Sequence, residues 1–451
     1  MARQNVNLLF VFADQLRADA VSLAGNPDVR TPHLEGLAGQ GMTFTQAVAN
    51  CPVCTPSRGT ILTGRYPLAH RAASNDLPLG DGERTFGDVL GAQGWHTGYI
   101  GKWHLDGMPR DRFTPPGPRR RGFAHWAAWN CGHDYFHGRY HRDHPEPLGI
   151  EGYEPDGQTE LAMDFIRARR QEPWALFLSW GPPHDPYPQV PEAYRRLYDP
   201  DALTLRGNAL EADRRAVADY YAAVTALDDN LGRLLALLEE LGLQERTIVV
   251  YTADHGDMLF SHGMRQKQKP FAESVRVPLV VRHPGVVPAA VRSEALISTV
   301  DLLPTLLGLL EVEAPDGVQG TDLSRHLQGR PSDLPSSAFL LNPIPVDNPA
   351  DIALGEWRGL RTARHTYAVR RDGPWLLYDD VADPLQLENL VADPARGALR
   401  QRLEAELTGW LERTGDRFLP WRDHVRELGL TELWNTRERA MHPRAPRLVD
   451  P

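Results

Sequence analysis

Apolar residues in this chain come in short unbroken runs, and most runs stop at a polar cluster. Leu8-Leu9-Phe10-Val11-Phe12-Ala13 stops at Asp14-Gln15. Trp95 to Ile100 stops at Gly101-Lys102-Trp103-His104, and Trp174 to Trp180 stops at Gly181-Pro182-Pro183-His184-Asp185. The β-branched run Thr247 to Thr252 stops at Ala253-Asp254-His255-Gly256-Asp257. Runs of this length without alternation predict strands buried on both faces, as in a parallel sheet. Gly41 to Val48 and Pro278 to Arg282 read as two further strands.

Helical periods fall between these runs. Thr31 caps a helix with Pro32 in its first turn, and residues 88–94 read as a short helix closed by glycine. Residues 160–170 read as another helix. Residues 209–241 carry the clearest helical stripe, with Val217, Tyr221, Val224, Leu227, Leu231, Leu234 and Leu238 on one face. A capped helix follows Ser298. Strand and helix alternate from residue 6 to about residue 325, which predicts an α/β fold: a large, mostly parallel sheet flanked by helices on both faces. The composition changes at the Pro-rich residues 331–349, followed by meander-like strands near 359–369 and 375–379 and a helix over 394–413. These predict a smaller C-terminal α+β domain with an antiparallel sheet. The expected division is 1–345 for the larger domain and 346–451 for the smaller.

Two segments resist a periodic reading. Residues 106–157 are rich in Pro, Gly, Arg and His, and a loop of that length inside a domain is usually functional or disordered. Its aromatics, Trp126, Trp129, Tyr135 and Tyr140, argue against disorder, and with Arg119-Arg120-Arg121 they suit the walls of a substrate pocket or ordinary loop packing. The Arg-rich tail from residue 418 shows no core pattern, and either reaches a neighbouring subunit or stays solvated.

Composition narrows the classes. The 451 residues are 41% hydrophobic and 24% charged, enough for a large core, and the length favours two domains. A formal net charge of -10 argues against a nucleic-acid partner but says nothing against a small anionic substrate, because local clusters can oppose the net sign. Three cysteines make no disulfide framework. The first apolar run is too short for a signal segment, and no run approaches a membrane span, so no membrane partner and a cytoplasmic location are expected. A bacterial source fits the abundance of Arg, Ala, Pro and Gly, and a homo-oligomer is left open.

Carboxyl ends of parallel strands share one edge of the sheet, so the four polar clusters are expected to meet there. Each alone has an ordinary reading: an Asp after a strand is often a helix cap, His184 sits between prolines as in a turn, and lysines such as Lys267 and Lys269 are usually solvated. Together, two carboxylates, an amide and an imidazole supply ligands for a divalent cation. Lysines, histidines and an arginine supply charge and donors for an oxyanion. The remaining stretch is Cys51-Pro-Val-Cys54-Thr-Pro-Ser57-Arg58-Gly59. As Cys-x-x-Cys it reads as a redox or half-zinc motif, but that leaves Ser57, Arg58 and the metal-type pairs unexplained.

Over nearly its whole length the chain resembles the type I sulfatases, the formylglycine-dependent family within the alkaline-phosphatase-like superfamily. Cys54-Thr-Pro-Ser-Arg58 with Gly64-Arg65 resembles the maturation motif, Leu9 to Arg17 and Thr252 to Gly256 the two metal motifs, and Tyr99 to His104 the second signature. Pro182-Pro183-His184 and Lys267 fall where the family keeps substrate residues. The resemblance implies hydrolysis of sulfate monoesters, of carbohydrate or aryl alcohols, by a gem-diol nucleophile. That nucleophile forms after a maturation enzyme oxidises Cys54 to formylglycine (3-oxoalanine). It implies that Asp14, Gln15, Cys54, Asp254 and His255 hold the metal. Arg58 would orient the nucleophile and His104 assist sulfate release. Lys102, His184 and Lys267 would bind sulfate, with His184 or Lys267 protonating the leaving group and Asn75 a further contact. Many members carry two carboxylates where this chain has Asp14-Gln15, and Asn in place of His255. Ca²⁺ is the expected ion, with Mn²⁺ (favoured by an imidazole ligand) or Mg²⁺ as rivals. The Asp-Gln and Asp-His pairs also occur in relatives that hydrolyse phosphonate monoesters and phosphodiesters, which keeps that activity as the alternative. A non-catalytic binder of sulfated glycans is a more distant one.

Overall fold

In the computed structural model, which describes residues 6–346 and 349–442, the apolar runs are strands and their polar ends lie along one edge. The strands are β1 (Asn7–Asp14), β2 (Met42–Val48), β3 (His96–Lys102), β4 (His125–Trp129), β5 (Arg139–Tyr140), β6 (Leu148–Gly149) and β7 (Trp174–Pro183). Then come β8 (Thr247–Ala253), β9 (Val280–Arg282), β10 (Val291–Ser298), and β11 to β14 (Ser337–Asn342, Trp357–Thr362, His365–Arg370 and Gly373–Asp379). Eight of them form one sheet in the order β10-β2-β9-β8-β1-β7-β3-β4. Only β9 runs against its neighbours in that sheet. Every residue of β1, β7 and β8 is buried, as their unbroken apolar sequences require. On one face Phe10 stacks on Phe177 at 5.0 Å, and Phe86 of the helix Phe86–Ala92 packs against both.

The long amphipathic helix is Arg214–Glu240, and every residue of its expected stripe is buried. It begins at 214 rather than 209 because the Asp213 side chain accepts from Ala216 N and caps it there. The helix expected at 160–170 runs instead over Glu154–Ala168. Its first turn, Glu154-Pro155-Asp156, suits a helix N-terminus by charge and fixed φ but adds nothing to the apolar period. Among the described residues no helix is long and apolar enough to cross a membrane.

β11 to β14 form the second, antiparallel sheet, covered by the helix Gly397–Thr414. It opens at Ser337, so its first strand lies ahead of the 345/346 division, inside the Pro-rich stretch 331–349. Cys51, Val53 and Tyr66 share an apolar cluster with Phe339, Leu360, Leu403 and Leu407, so the second sheet buttresses the segment that leads into Cys54. The tail is not solvated: Trp421–Glu427 and Thr431–Met441 are helices, and Trp421, Val425 and Trp434 pack on Ala73, Leu77, Ile344 and Val346. Alternating Arg and Trp hid this packing, because long polar stems and flat rings bury without a clean apolar period. Residues 443–451 of the expected tail lie outside the described residues.

Residues 106–157 also depart from expectation. β4 extends the large sheet beside β3, and Trp126 packs against Tyr99 and Trp103 in the core. Tyr135 is buried with its hydroxyl on Gly181 O and His184 O, and Trp129 stacks on His141. Arg119 pairs with Asp106, Arg120 with Asp143, and Arg121 donates to Leu79 O. These residues hold the loop together rather than wall a pocket.

Where β3 and β7 reach the shared edge, Gly101 has φ +99°, and a Cβ there would lie 2.0 Å from Ser179 O. Gly101→Ala is therefore expected to cost about 2–4 kcal/mol of stability, read from urea unfolding, and to displace Lys102. An unchanged unfolding midpoint would show that the two strands do not need this close approach.

Candidate active site

The edge register brings the four clusters together. Asp14 ends β1 and pairs in register with Pro183 of β7, while Ala13 pairs with Ala253 of β8, so Asp14, His184 and Asp254 emerge side by side. Lys102 ends β3 one strand further along. Cys54 enters from outside the sheet as the first residue of the helix Cys54–Thr63, all of whose residues are buried. Ser57 Oγ donates to Asp254 O, and Thr55 Oγ1 donates to His104 O at 2.8 Å, which pins that helix to two strand ends.

Arg58, one turn after Cys54, is 0% exposed and lies over the Phe12 ring. Its Nη2 donates to Asp14 Oδ2 and its Nε to Asp254 Oδ2, both at 3.0 Å. Its Nη1 donates to Lys102 O at 2.8 Å and Ser179 Oγ at 2.7 Å. The outer faces of the two carboxylates are therefore taken. Their inner oxygens, with Cys54 Sγ and His255 Nε2, form a buried cluster of four ligand atoms all within 4.8 Å of one another. His255 Nε2 lies 3.2 Å from Cys54 Sγ and 3.7 Å from Asp14 Oδ1.

Burial and neighbouring Asp14 push the Asp254 carboxyl above its ordinary range. Burial and Cys54 oppose ionisation of Asp14 too, but Lys102, His184 and Arg58 outweigh them and hold it low. Two carboxylates forced together in a dry site are incomplete without a cation, and the O, N and S donors converging here suit a divalent metal. Gln15 sits beside the cluster, turned by a φ of 67°. Its Oε1 accepts from Lys267 Nζ at 2.6 Å and its Nε2 donates to Asp257 Oδ2 at 2.8 Å, so its amide is oriented by partners on both sides.

On the other side of Cys54 stand the cations. Lys102 Nζ donates to Asp14 Oδ2 at 2.5 Å, and Lys267 Nζ donates to His184 Nε2 at 2.7 Å. His184 in turn donates from Nδ1 to Asp185 O at 2.7 Å, and its ring stacks on His133 at 4.1 Å. Burial, with Lys267 and His133 adjacent, lowers His184 to about 4, leaving it neutral as an acceptor for Lys267. Burial alone would raise the Cys54 thiol, but Lys102, Lys267 and His255 hold it well below its usual value, so the site favours negative charge at Cys54. Burial pushes the Cys51 thiol up against a smaller opposing pull from Arg358, and Cys51 packs as a small apolar residue.

The structure thus brings Asp14, Gln15, Cys54, Arg58, Lys102, His104, His184, Asp254, His255 and Lys267 to one place, while Lys269 turns away to pair with Asp351. A cavity of about 170 Å³ opens onto Cys54, lined also by Asn75, Lys102, His104, His184 and Lys267. Sequence reasoning missed the outer lining, Arg110, His133, Gln266 and Met441, and the supporting acids Asp76 and Asp257. Asp257 stands in the same polar cluster as Asp254 and was open to notice. Nothing local marks the others.

A buried Cys54 between metal-type donors and a ring of cations, at the carboxyl edge of a mostly parallel sheet, fits a hydrolase of anionic esters of the alkaline-phosphatase-like kind. The chain belongs to the sulfatase family and is a sulfuric ester hydrolase: the family profile, described as Sulfatase, matches residues 6–312. A second profile, described as N-sulphoglucosamine sulphohydrolase, C-terminal, matches residues 261–413. The chain is 38% identical to an ulvan-active sulfatase of Formosa agariphila, across 91% of this chain and 82% of that one. It is 28% identical to an endo-4-O-sulfatase of Bacteroides thetaiotaomicron, across 93% of each. A crystal structure of yidJ from Bacteroides fragilis, a sulfatase by assignment, superposes with a TM-score of 0.83 at 32% identity, covering 93% of this chain and 98% of that one.

Removing Arg58 leaves Asp254 paired only with the His255 imidazole, and Asp14 only with Lys102 and His255, among the described residues. Arg58→Met is expected to lower the stability of the metal-free, unmodified protein by about 3–5 kcal/mol in urea unfolding. A loss below 1 kcal/mol would mean the pairing does not hold the site together.

Proposed function

We propose that this chain hydrolyses sulfate monoesters of carbohydrates, using a nucleophile made from Cys54 and a divalent metal at Asp14, Gln15, Asp254 and His255. The observation that carries this reading is the placement of Cys54 between two unlike sets: four ligand atoms within 4.8 Å on one side, and Lys102, Lys267, His184 and His104 on the other. A glycan substrate is supported by likeness to the ulvan-active and endo-4-O-sulfatases.

Converted to formylglycine and hydrated, Cys54 would supply a hydroxyl able to attack sulfur and a second hydroxyl whose proton can be removed to release sulfate. Ca²⁺ best fits the oxygen donors, while the His255 imidazole also suits Mn²⁺, and the ion would lower the pKa of the attacking hydroxyl. The remaining work falls to the chain's own side chains. Lys102 and Lys267 hold the non-bridging oxygens and offset charge as it builds on them. As the bond from sulfur to the alcohol oxygen breaks, that oxygen takes a proton. Of the two candidate donors Lys267 carries one in the resting site, because His184 is already accepting from it. Arg58 keeps Asp14 and Asp254 in place, and His104 assists the elimination that releases sulfate. Cys54 is 1% exposed, so a maturation enzyme must meet it before the helix Cys54–Thr63 docks.

The test pairs intact-mass analysis of the Cys54 peptide, after co-expression with a formylglycine-generating enzyme, with hydrolysis of an aryl sulfate and an aryl phosphonate. A converted Cys54, sulfate preference, loss of activity on chelation, and a fall of at least about 10³-fold in kcat/KM for Cys54→Ala are expected. Full activity with unmodified Cys54 would sink the nucleophile assignment. A strong phosphonate preference would replace the reaction class.

A further inference from the structure

Its backbone and Asp76 hold His104 so that the other side of its ring meets the thiols of Cys54 and Cys131. It follows the end of β3 with φ 56°, its N donates to Asn130 O at 2.6 Å, and its O accepts from Thr55 Oγ1. Its Nε2 lies 2.9 Å from Asp76 Oδ1. Its Nδ1 is buried and meets no nitrogen or oxygen partner among the described residues, and its neighbours on that side are the thiols of Cys54 and Cys131.

Asp76 is 2% exposed and has φ 65°, a region that Asp and Asn tolerate better than most residues. Its N donates to Thr55 Oγ1 at 3.3 Å, tying it to the helix that carries Cys54. Arg110 binds its carboxylate in bidentate fashion, Nε to Oδ1 and Nη2 to Oδ2, both at 2.8 Å. Arg437, from the helix Thr431–Met441, comes within 3.4 Å of Oδ2 and also donates to Asn75 O at 3.1 Å. So surrounded, the carboxylate stays ionised and can only accept hydrogen bonds.

We propose that Asp76 is a positioning residue for His104: it fixes the imidazole by accepting from Nε2, so that His104 exchanges protons with the reacting groups only through Nδ1. Nε2–H is then retained in every step, and whichever proton the ring takes up or gives back moves at the nitrogen on the Cys54 side. The logic is that of a base oriented by a third group, applied to a different pair of residues. Arg110 and Met441 line the same cavity as Cys54, so Asp76 also joins the ring to the two remote segments that frame its mouth. The role in turnover rests on the sulfatase mechanism above, but the orientation does not.

The test separates the two. In ¹⁵N-histidine-labelled protein carrying unmodified Cys54, His104 is expected to give a downfield, slowly exchanging Nε2–H resonance, assigned by its loss in His104→Asn. Asp76→Asn, which tolerates the same φ, should remove it or move it upfield. In matured enzyme the same variant should lower kcat about 100-fold with KM nearly unchanged. Arg110→Met, which keeps Asp76 but loosens its clamp, should move the resonance less and reduce kcat less, and it serves if Asp76→Asn folds poorly. An Nε2–H signal identical to wild type in both variants overturns the proposal, as does a rise in KM with kcat intact. A resonance that depends on Asp76 in a protein with no sulfate-ester hydrolysis upholds the orientation and rejects the mechanism it was to serve.

Discussion

The fully buried Arg58 guanidinium is the contact on which the rest of the site depends. It donates to the carboxylates of Asp14 and Asp254, to Lys102 O and to Ser179 Oγ, and so ties the helix Cys54–Thr63 to β1, β3, β7 and the end of β8 at once. Burying one charge without a partner costs several kcal/mol, and attraction offsets that cost only when geometry is good and the remaining donors are satisfied. Here each is. The same fork turns the outer carboxylate oxygens away from the centre and leaves the inner ones beside Cys54.

What Arg58 leaves uncompensated explains the chemistry. Burial and Asp14 push Asp254 up, while Lys102, His184 and Arg58 hold Asp14 down against its own burial, and a divalent cation among their inner oxygens, His255 and Cys54 would offset the charge that remains. Across Cys54, Lys102 and Lys267 line the cavity, so cations face it although the chain carries a formal charge of -10. Local field and net charge answer different questions.

The parts that looked functional by composition turned out to be structural, and the reverse. Arg119, Arg120, Trp126 and Tyr135 are absorbed in holding residues 106–157 against the large sheet. Arg110 and His133 from the same segment reach the cavity, as does Met441 from a tail without visible periodicity. A cation or a ring is useful in either role, and only its neighbours decide which.

The sequence by itself determined six strands of the large sheet (β1, β2, β3, β7, β8 and β9), the long helix, the ten residues that meet at its edge and the family, but not β4 or β10. These are local or collinear facts: an unbroken apolar run of strand length bounded by polar clusters reads as a buried strand, parallel strands put their carboxyl ends on one side, and a motif such as Cys54 to Arg58 is read along the chain. Tertiary structure alone decided the antiparallel β9, the early start of the second sheet, the docking of the tail and the grouping of Asp76 with His104, Arg110 and Arg437. Strand direction leaves no trace in hydrophobic period. A carboxylate whose partners lie 28, 34 and hundreds of residues away is indistinguishable in sequence from one that faces water, because what distinguishes it is the set of charges that folding brings around it.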